Sequence, residues 1–328
     1  MKAILIKQPG DVEQLQLEDI TEPMAPEGFV KIRNRAFGLN RAETYYRAGN
    51  FGEINEPRVP GIEAVGEVIE DNSGTFQTGQ KVITAMGGLM MAMHGSYAEY
   101  VIAPLENVLG VNSRLSWEEL ATIPEAYLTV WGALDKNLQI KKGQIILVRG
   151  GTSSVGLAAI SYAKAMGLTV LASTRNSDNT ERLKYFGADE VIVDDGNINE
   201  KIRVMYPQGV DCALEVVGAS TVKDTLKTIK NWGKVCVIGL LGGPPVLENF
   251  GLMSDLPGTV SLSFFSSGIL GDADLPLKNA PIQWIIEKIE NNEIKSLLSK
   301  TFEFDQIREA HQFMESNRSI GKIVVKLN

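Results

Sequence analysis

Between Ile145 and Ile238 apolar, strand-like runs alternate with helix-like runs of about ten residues, and few architectures accept that order. Ile145–Val148, Thr169–Ser173, Glu190–Val193, Val210–Val216 and Lys234–Ile238 read as strands. Val155–Met166, Asn179–Phe186 and Val222–Ile229 read as the helices between them. Strands returning through helices demand right-handed βαβ crossovers, and therefore a parallel, doubly wound sheet with helices on its faces. Thr259–Phe265 reads as one further strand at the end of this block.

The block also contains the most informative local motif. Ile145-Ile-Leu-Val-Arg-Gly-Gly-Thr-Ser-Ser-Val-Gly156 is an apolar strand, a turn of small residues and the opening of a helix. A helix start offers unpaired N–H groups and the positive end of its dipole, which suits a dinucleotide pyrophosphate. Gly151, Thr152, Ser153, Ser154, Val155 and Gly156 are the expected phosphate-binding residues. Against G-x-G-x-x-G the middle glycine is Ser153, whose Cβ limits close approach while its hydroxyl could donate a bond of its own. A tight βα turn without a ligand is the competing reading. About twenty residues on, NAD-binding folds carry an acid for the adenosine ribose. Here the second strand ends in Ser173, Thr174 and Arg175, with no carboxylate before Asp178. A guanidinium suits a phosphate monoester, so Arg175 points to the 2′-phosphate of NADPH, with Ser173 and Thr174 assisting. An exposed arginine at a strand end is the plainer alternative.

Both ends of the chain read differently. Met1–Ile6, Phe29–Ala36, Ala64–Glu70 and Gln80–Ala85 are short strands broken by turn residues, which suggests a mostly antiparallel, barrel-like domain. Helices are expected at Trp117–Ile123, capped by Ser116, and at Ala126–Lys136. The chain closes with helices at Ile282–Glu290 and Phe304–Glu315 and a strand at Gly321–Leu327. The expected division is residues 1–116 with 266–328 as an outer domain and 117–265 as the nucleotide domain. A chain of 328 residues with 44% hydrophobic content can build two such cores. Its net charge of −8 argues against nucleic acid or an anionic membrane as the main partner. The start MKAILIKQPG lacks a signal-peptide pattern and no apolar stretch approaches a membrane span, so a cytoplasmic protein is expected. Cys212 and Cys236 form no framework and read as inert core residues.

Taken in order, several segments resemble the medium-chain dehydrogenase/reductases, in particular their zinc-independent quinone oxidoreductase (zeta-crystallin-like) branch. They are Asn40-Arg-Ala-Glu-Thr-Tyr-Tyr-Arg-Ala-Gly49, Val59-Pro-Gly-Ile-Glu-Ala-Val-Gly-Glu67, Gly95-Ser-Tyr-Ala-Glu-Tyr-Val101, Ile123-Pro-Glu-Ala-Tyr-Leu-Thr-Val-Trp131, the phosphate loop, Gly187-Ala-Asp189 and Gly321-Lys-Ile-Val-Val325. The resemblance implies an α/β, Rossmann-type domain beside a GroES-like domain, and homodimers joined by sheet edges. Zinc-containing members hold their catalytic metal at positions that match Asn40, Ile62 and Glu125 here. An amide, an alkyl group and one carboxylate do not make a zinc site, so no metal is expected.

Without a Lewis acid, an acceptor that is already polarised is the easier substrate. The resemblance thus implies NADPH-dependent hydride transfer to quinones or α,β-unsaturated carbonyls. It places Asn40 and Tyr45 near the substrate as catalytic residues, and Thr129 beside the nicotinamide. It also sets the turn Gly239, Leu240 and Leu241 on the nicotinamide side. Tyr45 has the alternative of a half-buried surface tyrosine, and Tyr46 competes for its role. The stretch Met86–Gly95 reads either as a methionine-rich lid or as core filler. Reduction of enoyl thioesters is a neighbouring reading, and a non-catalytic NADPH-binding or RNA-binding protein is one of another class.

Overall fold

The computed structural model describes residues 1–327, which divide into two compact units. One comprises Met1–Leu128, Ser267–Asn291 and the C-terminal segment from Ser296, and the other Thr129–Ser266 with Asn292–Lys295.

The first unit contains β1 (Lys2–Leu5), β2 (Gln16–Asp19), β3 (Phe29–Gly38), β4 (Glu63–Asp71), β5 (Lys81–Ala85), β6 (Tyr100–Pro104) and β7 (Val108–Gly110). β3 is the long strand around which the others gather. Its C-terminal end pairs with the last strand of the chain, its middle with β4 and its N-terminal half with β6. Register shifts at Lys31/Ile32 and Asn34/Ala36 let one strand serve three neighbours, because each irregularity re-aims the backbone. Val30, Ile32, Val68, Val82, Ala103 and Val108 form a buried core on this sheet.

α1 (Arg41–Arg47) follows β3 directly, and α2 (Trp117–Leu120) opens with a reciprocal capping box. In that box Ser116 Oγ accepts from Glu119 N–H and Glu119 Oε2 accepts from Ser116 N–H, each at 3.2 Å. α2 packs on β3 and β4, so it belongs to the outer unit although the sequence assigns it to the nucleotide domain. The division falls instead within α3 (Pro124–Trp131), between Leu128 and Thr129, and α3 runs on as a π-helix over Gly132–Leu138.

The second unit is a six-stranded, wholly parallel sheet of β8 (Ile145–Arg149), β9 (Thr169–Thr174), β10 (Glu190–Val193), β11 (Val210–Glu215), β12 (Ile229–Val237) and β13 (Ser261–Phe264). Its order is β10-β9-β8-β11-β12-β13, a doubly wound α/β arrangement whose connections diverge on either side of β8. α4 (Ser154–Ala165) leaves the β8 turn with residues 156–163 all buried, as a helix apolar on every face requires. α5 (Thr180–Tyr185), α6 (Asn199–Met205) and α7 (Ala219–Lys227) supply the remaining crossovers. Sequence pattern missed α6, whose only buried residue is Ile202 and which carries almost no apolar stripe. It also missed β14 (Leu298–Glu303), which pairs in parallel with β15 (Lys322–Lys326) in the outer unit and buries only Phe302.

Candidate active site

In the second unit the phosphate loop is shaped by backbone crowding. Gly150 has φ +89°, a left-handed conformation that an L side chain rarely adopts. At Gly156 an added Cβ would lie 2.5 Å from Gly150 O, so only glycine lets α4 start this close to β8. Ser153 is the N-cap: its hydroxyl donates to Gly150 O and accepts from Gly156 N–H, both at 3.0 Å. Both bonds of this hydroxyl thus stay within the loop. The N–H groups of Thr152, Ser154 and Val155 pair with nothing else among the described residues, and all three residues are half-buried. They make the anion-binding concavity expected of a pyrophosphate site. A dinucleotide phosphate therefore fits the donors present.

At the end of β9 the three polar residues separate in role. Ser173 is buried, donates to Asp194 Oδ2 at 3.1 Å and accepts from Gly150 N–H at 3.3 Å. Thr174 Oγ1 is engaged with Asn176 and with Asn179 Nδ2. Both hydroxyls are thus engaged within the protein at the end of β9. Arg175 is exposed and has no ion pair among the described residues. Behind the loop, Arg149 is wholly buried and ties Asp194 and Asp224 together at 2.8 Å each.

The turn holding Gly239, Leu240 and Leu241 lies against the turn after β11. A Cβ on Gly239 would stand 2.6 Å from the carbonyl carbon of Val216, and Gly242 N–H donates to Val217 O at 2.7 Å. This seats it at the carboxyl ends of neighbouring strands, where ligands of such sheets bind. Thr129 is buried in α3. Cys212 and Cys236 are buried, and burial raises their thiols to about 12 and about 11, so both are inert.

In the first unit Asn40, Ile62 and Glu125 come together around charges the sequence did not single out. Asn40 begins α1, and its backbone N–H donates to Glu43 Oε2 at 2.6 Å. Its Nδ2 donates to Glu43 Oε1 at 3.2 Å and to Glu63 Oε1 at 2.9 Å. Its Oδ1 accepts from Lys322 Nζ at 2.6 Å. Ile62 N–H reaches Glu43 Oε1 at 3.4 Å, and Glu125 N–H donates to Glu63 Oε2 at 2.7 Å. Lys322, Glu43 and Glu63 are all fully buried, and Lys322 pairs with Glu63 at 2.5 Å.

Burial raises the Glu43 carboxyl to about 8, against the opposing pull of Asn40 and Lys322. Burial works against the Lys322 ammonium, but Glu63, Glu125 and Glu43 outweigh it and hold its proton above the ordinary lysine value. This donor set does not fit zinc. A lysine ammonium stands among the positions that match metal ligands, and no group of three or more His, Cys, Asp or Glu suited to a metal occurs among the described residues.

The Asn40 side chain thus has both amide donors and its oxygen engaged in this cluster. Tyr45, two residues beyond Glu43 on α1, is half-buried and meets Phe51 edge-on at 6.4 Å. Its hydroxyl has no partner among the described residues. Tyr46 instead packs against the core of β1, Phe37 and Leu39. Within Met86–Gly95, Met86 and Met90 adopt positive φ (62° and 69°); Leu89 and Met90 are buried, and Met91, Ala92 and His94 are exposed. Leu89 and Met90 thus anchor the stretch to the core, while its second half reaches the surface.

Residues 154–271 match the family model described as zinc-binding dehydrogenase, and residues 26–113 the model described as alcohol dehydrogenase GroES-like domain. The chain is 27% identical to the human quinone oxidoreductase over 334 residues, covering all of this chain and 98% of that protein. It is 26% identical to the quinone oxidoreductase of Pseudomonas aeruginosa, over 99% of each. Among solved structures, an NAD-dependent alcohol dehydrogenase superimposes with TM-score 0.85 at 25% identity, over the whole of both chains. The quinone oxidoreductase from Coxiella burnetii has the same fold, with TM-score 0.83 at 24% identity over all of this chain and 99% of that one. An α/β sheet with a preformed phosphate loop, a GroES-like unit and these relatives agree: the chain is an oxidoreductase belonging to the medium-chain dehydrogenase/reductase family, on its quinone oxidoreductase branch.

Proposed function

We propose that this protein is an NADPH-dependent reductase that delivers hydride to quinones or α,β-unsaturated carbonyls without a metal. The observation that carries the reading is Arg175, an exposed guanidinium at the end of β9 with no ion pair among the described residues, beside a phosphate loop with three N–H groups likewise uncommitted. NADPH, when bound, supplies the hydride. Thr152, Ser154 and Val155 hold its pyrophosphate through backbone N–H groups, and Arg175 meets its 2′-phosphate. Thr129 and the Gly239–Leu241 turn serve the nicotinamide end.

In the outer unit the Asn40–Glu43–Glu63–Lys322 cluster fixes the first turn of α1. Tyr45 then offers a free hydroxyl to the oxygen on which charge develops as the acceptor is reduced. An activated acceptor needs no Lewis acid, so orientation and one donor suffice. The buried, unpaired cysteines suit a reducing cytoplasm.

The test is NADPH oxidation against a panel of quinones, enals and enones, before and after exhaustive chelation. Turnover with at least one class, unchanged by chelation and not raised by added zinc, is the expected result. In the same assay Tyr45→Phe lowers turnover by about tenfold or more with little change in NADPH affinity. Activity lost on chelation and restored by zinc overturns the mechanism.

A further inference from the structure

Arg149 has no role in the mechanism above, yet it is a large, fully buried side chain in the strand that leads into the phosphate loop. Its guanidinium makes a forked pair with Asp194, Nε to Oδ2 at 2.8 Å and Nη2 to Oδ1 at 2.9 Å. Its Nη1 reaches Asp224 Oδ2 at 2.8 Å, Thr225 Oγ1 at 3.0 Å and Thr221 O at 3.1 Å. Glu215, also buried, takes the Thr225 hydroxyl at 2.5 Å. One buried cation thus stands among three carboxylates. Burying charge in this way is costly and often gives no net stability over apolar packing, so stability alone is a poor account of the arrangement.

Register shows what the fork does for the site. Asp194 follows β10 directly, and its N–H donates to Thr174 O at 2.8 Å, next in sequence to Arg175. Asp194 therefore lies at the strand end adjoining the one where recognition of the adenosine ribose is expected. A free carboxylate there would do two things. It would repel a 2′-phosphate, and it would offer an acceptor to ribose hydroxyls, the feature that favours NADH. In this chain both of its oxygens are filled: Oδ1 takes Arg149 and Gly196 N–H, and Oδ2 takes Arg149 and the Ser173 hydroxyl.

We propose that Arg149 is a specificity-determining positioning residue: by clamping Asp194 from behind, it neutralises and turns away the acid at the strand end next to Arg175, so that the site accepts a 2′-phosphate. This rests on the NADPH reading above. Two residues cooperate, one attracting the phosphate from the surface and one disarming its repulsion from the core. A lysine cannot reproduce the fork, because its ammonium is a point charge without the planar pair of donors.

The test is the ratio of NADPH to NADH affinity, measured by calorimetry on the unmutated full chain and on variants confirmed to fold by thermal melting. Arg149→Lys is expected to lower the ratio by about tenfold or more, chiefly through weaker NADPH binding. Adding Asp194→Asn to Arg149→Lys should restore most of it, a rescue that a merely structural role for Arg149 does not produce. Asp194→Glu, with Arg149 intact, carries the same expectation if the lysine variant does not fold. Its longer side chain cannot keep all four bonds and pushes the carboxylate outward. An unmutated protein that binds NADH as tightly as NADPH overturns the cofactor reading, and this proposal with it. Clear NADPH preference that survives in every folded variant overturns the role of Arg149 alone.

Discussion

Single residues here do their work through what surrounds them. Arg175 is legible from sequence because a βα unit places it by count, and the structure adds that it is exposed with no ion pair among the described residues. Replacing it by glutamate should weaken NADPH binding by about 2–4 kcal/mol, through loss of a charge-assisted pair and gain of repulsion, with NADH affected far less. A titration showing equal loss for both cofactors would place the 2′-phosphate elsewhere. Glu43 is the opposite case, since nothing in its spacing marks it. Its folded carboxyl, raised to about 8 by burial, favours the protonated form. The stability this lends is complete below the ordinary carboxyl range and is lost as pH rises through about 8. His311 works the other way: burial and Arg47 lower it to about 3, so its contribution is lost as pH falls below the ordinary histidine value. Above pH ~6.5 only the glutamate is in play. Between there and pH ~8 Glu43→Gln should gain on the unmutated protein by on the order of 2 kcal/mol, read from melting temperatures. Parallel curves would show that Glu43 does not titrate in this range.

At the scale of elements, the β8–loop–α4 unit is where sequence and geometry agree most closely. The glycine at 156 is required by the approach of α4 to β8, and Ser153 caps the helix. Gly156→Ala must displace Gly150 or the start of α4, because the new Cβ would stand 2.5 Å from a carbonyl oxygen. The expected cost is about 1–3 kcal/mol of stability, with weakened nucleotide binding as the loop N–H groups shift. A variant with unchanged melting temperature and affinity would mean that the loop is looser than this packing implies. Elements without a strong apolar period were not legible. α6 buries only Ile202, and β14 exists because β15 offers it an edge. The methionines of residues 86–93 read in sequence as either a lid or core filler, since composition does not report that two of them turn through positive φ and that Met90 is packed inside.

At the scale of the whole molecule, β13 ends the parallel sheet and leaves a strand edge with Phe264 largely exposed, near in sequence to exposed Leu252 and Met253. Such an edge invites pairing, and we propose a homodimer joined there. Sedimentation at micromolar concentration should show a dimer, and Phe264→Glu should shift it toward monomer; a monomer throughout rejects the idea. The sequence by itself determined the α/β block, its phosphate loop and the position of Arg175. All three follow from local order: periodicity, a glycine turn, and a fixed count along a βα unit. What only the tertiary structure decided is which charges meet. Lys322 lies far along the chain from Asn40 and Glu63, and Arg149 from Asp194 and Asp224, so no spacing rule pairs them. Their partnership depends on strand order in two sheets, and in the low dielectric of a core that order decides whether a charge binds, positions or is silenced.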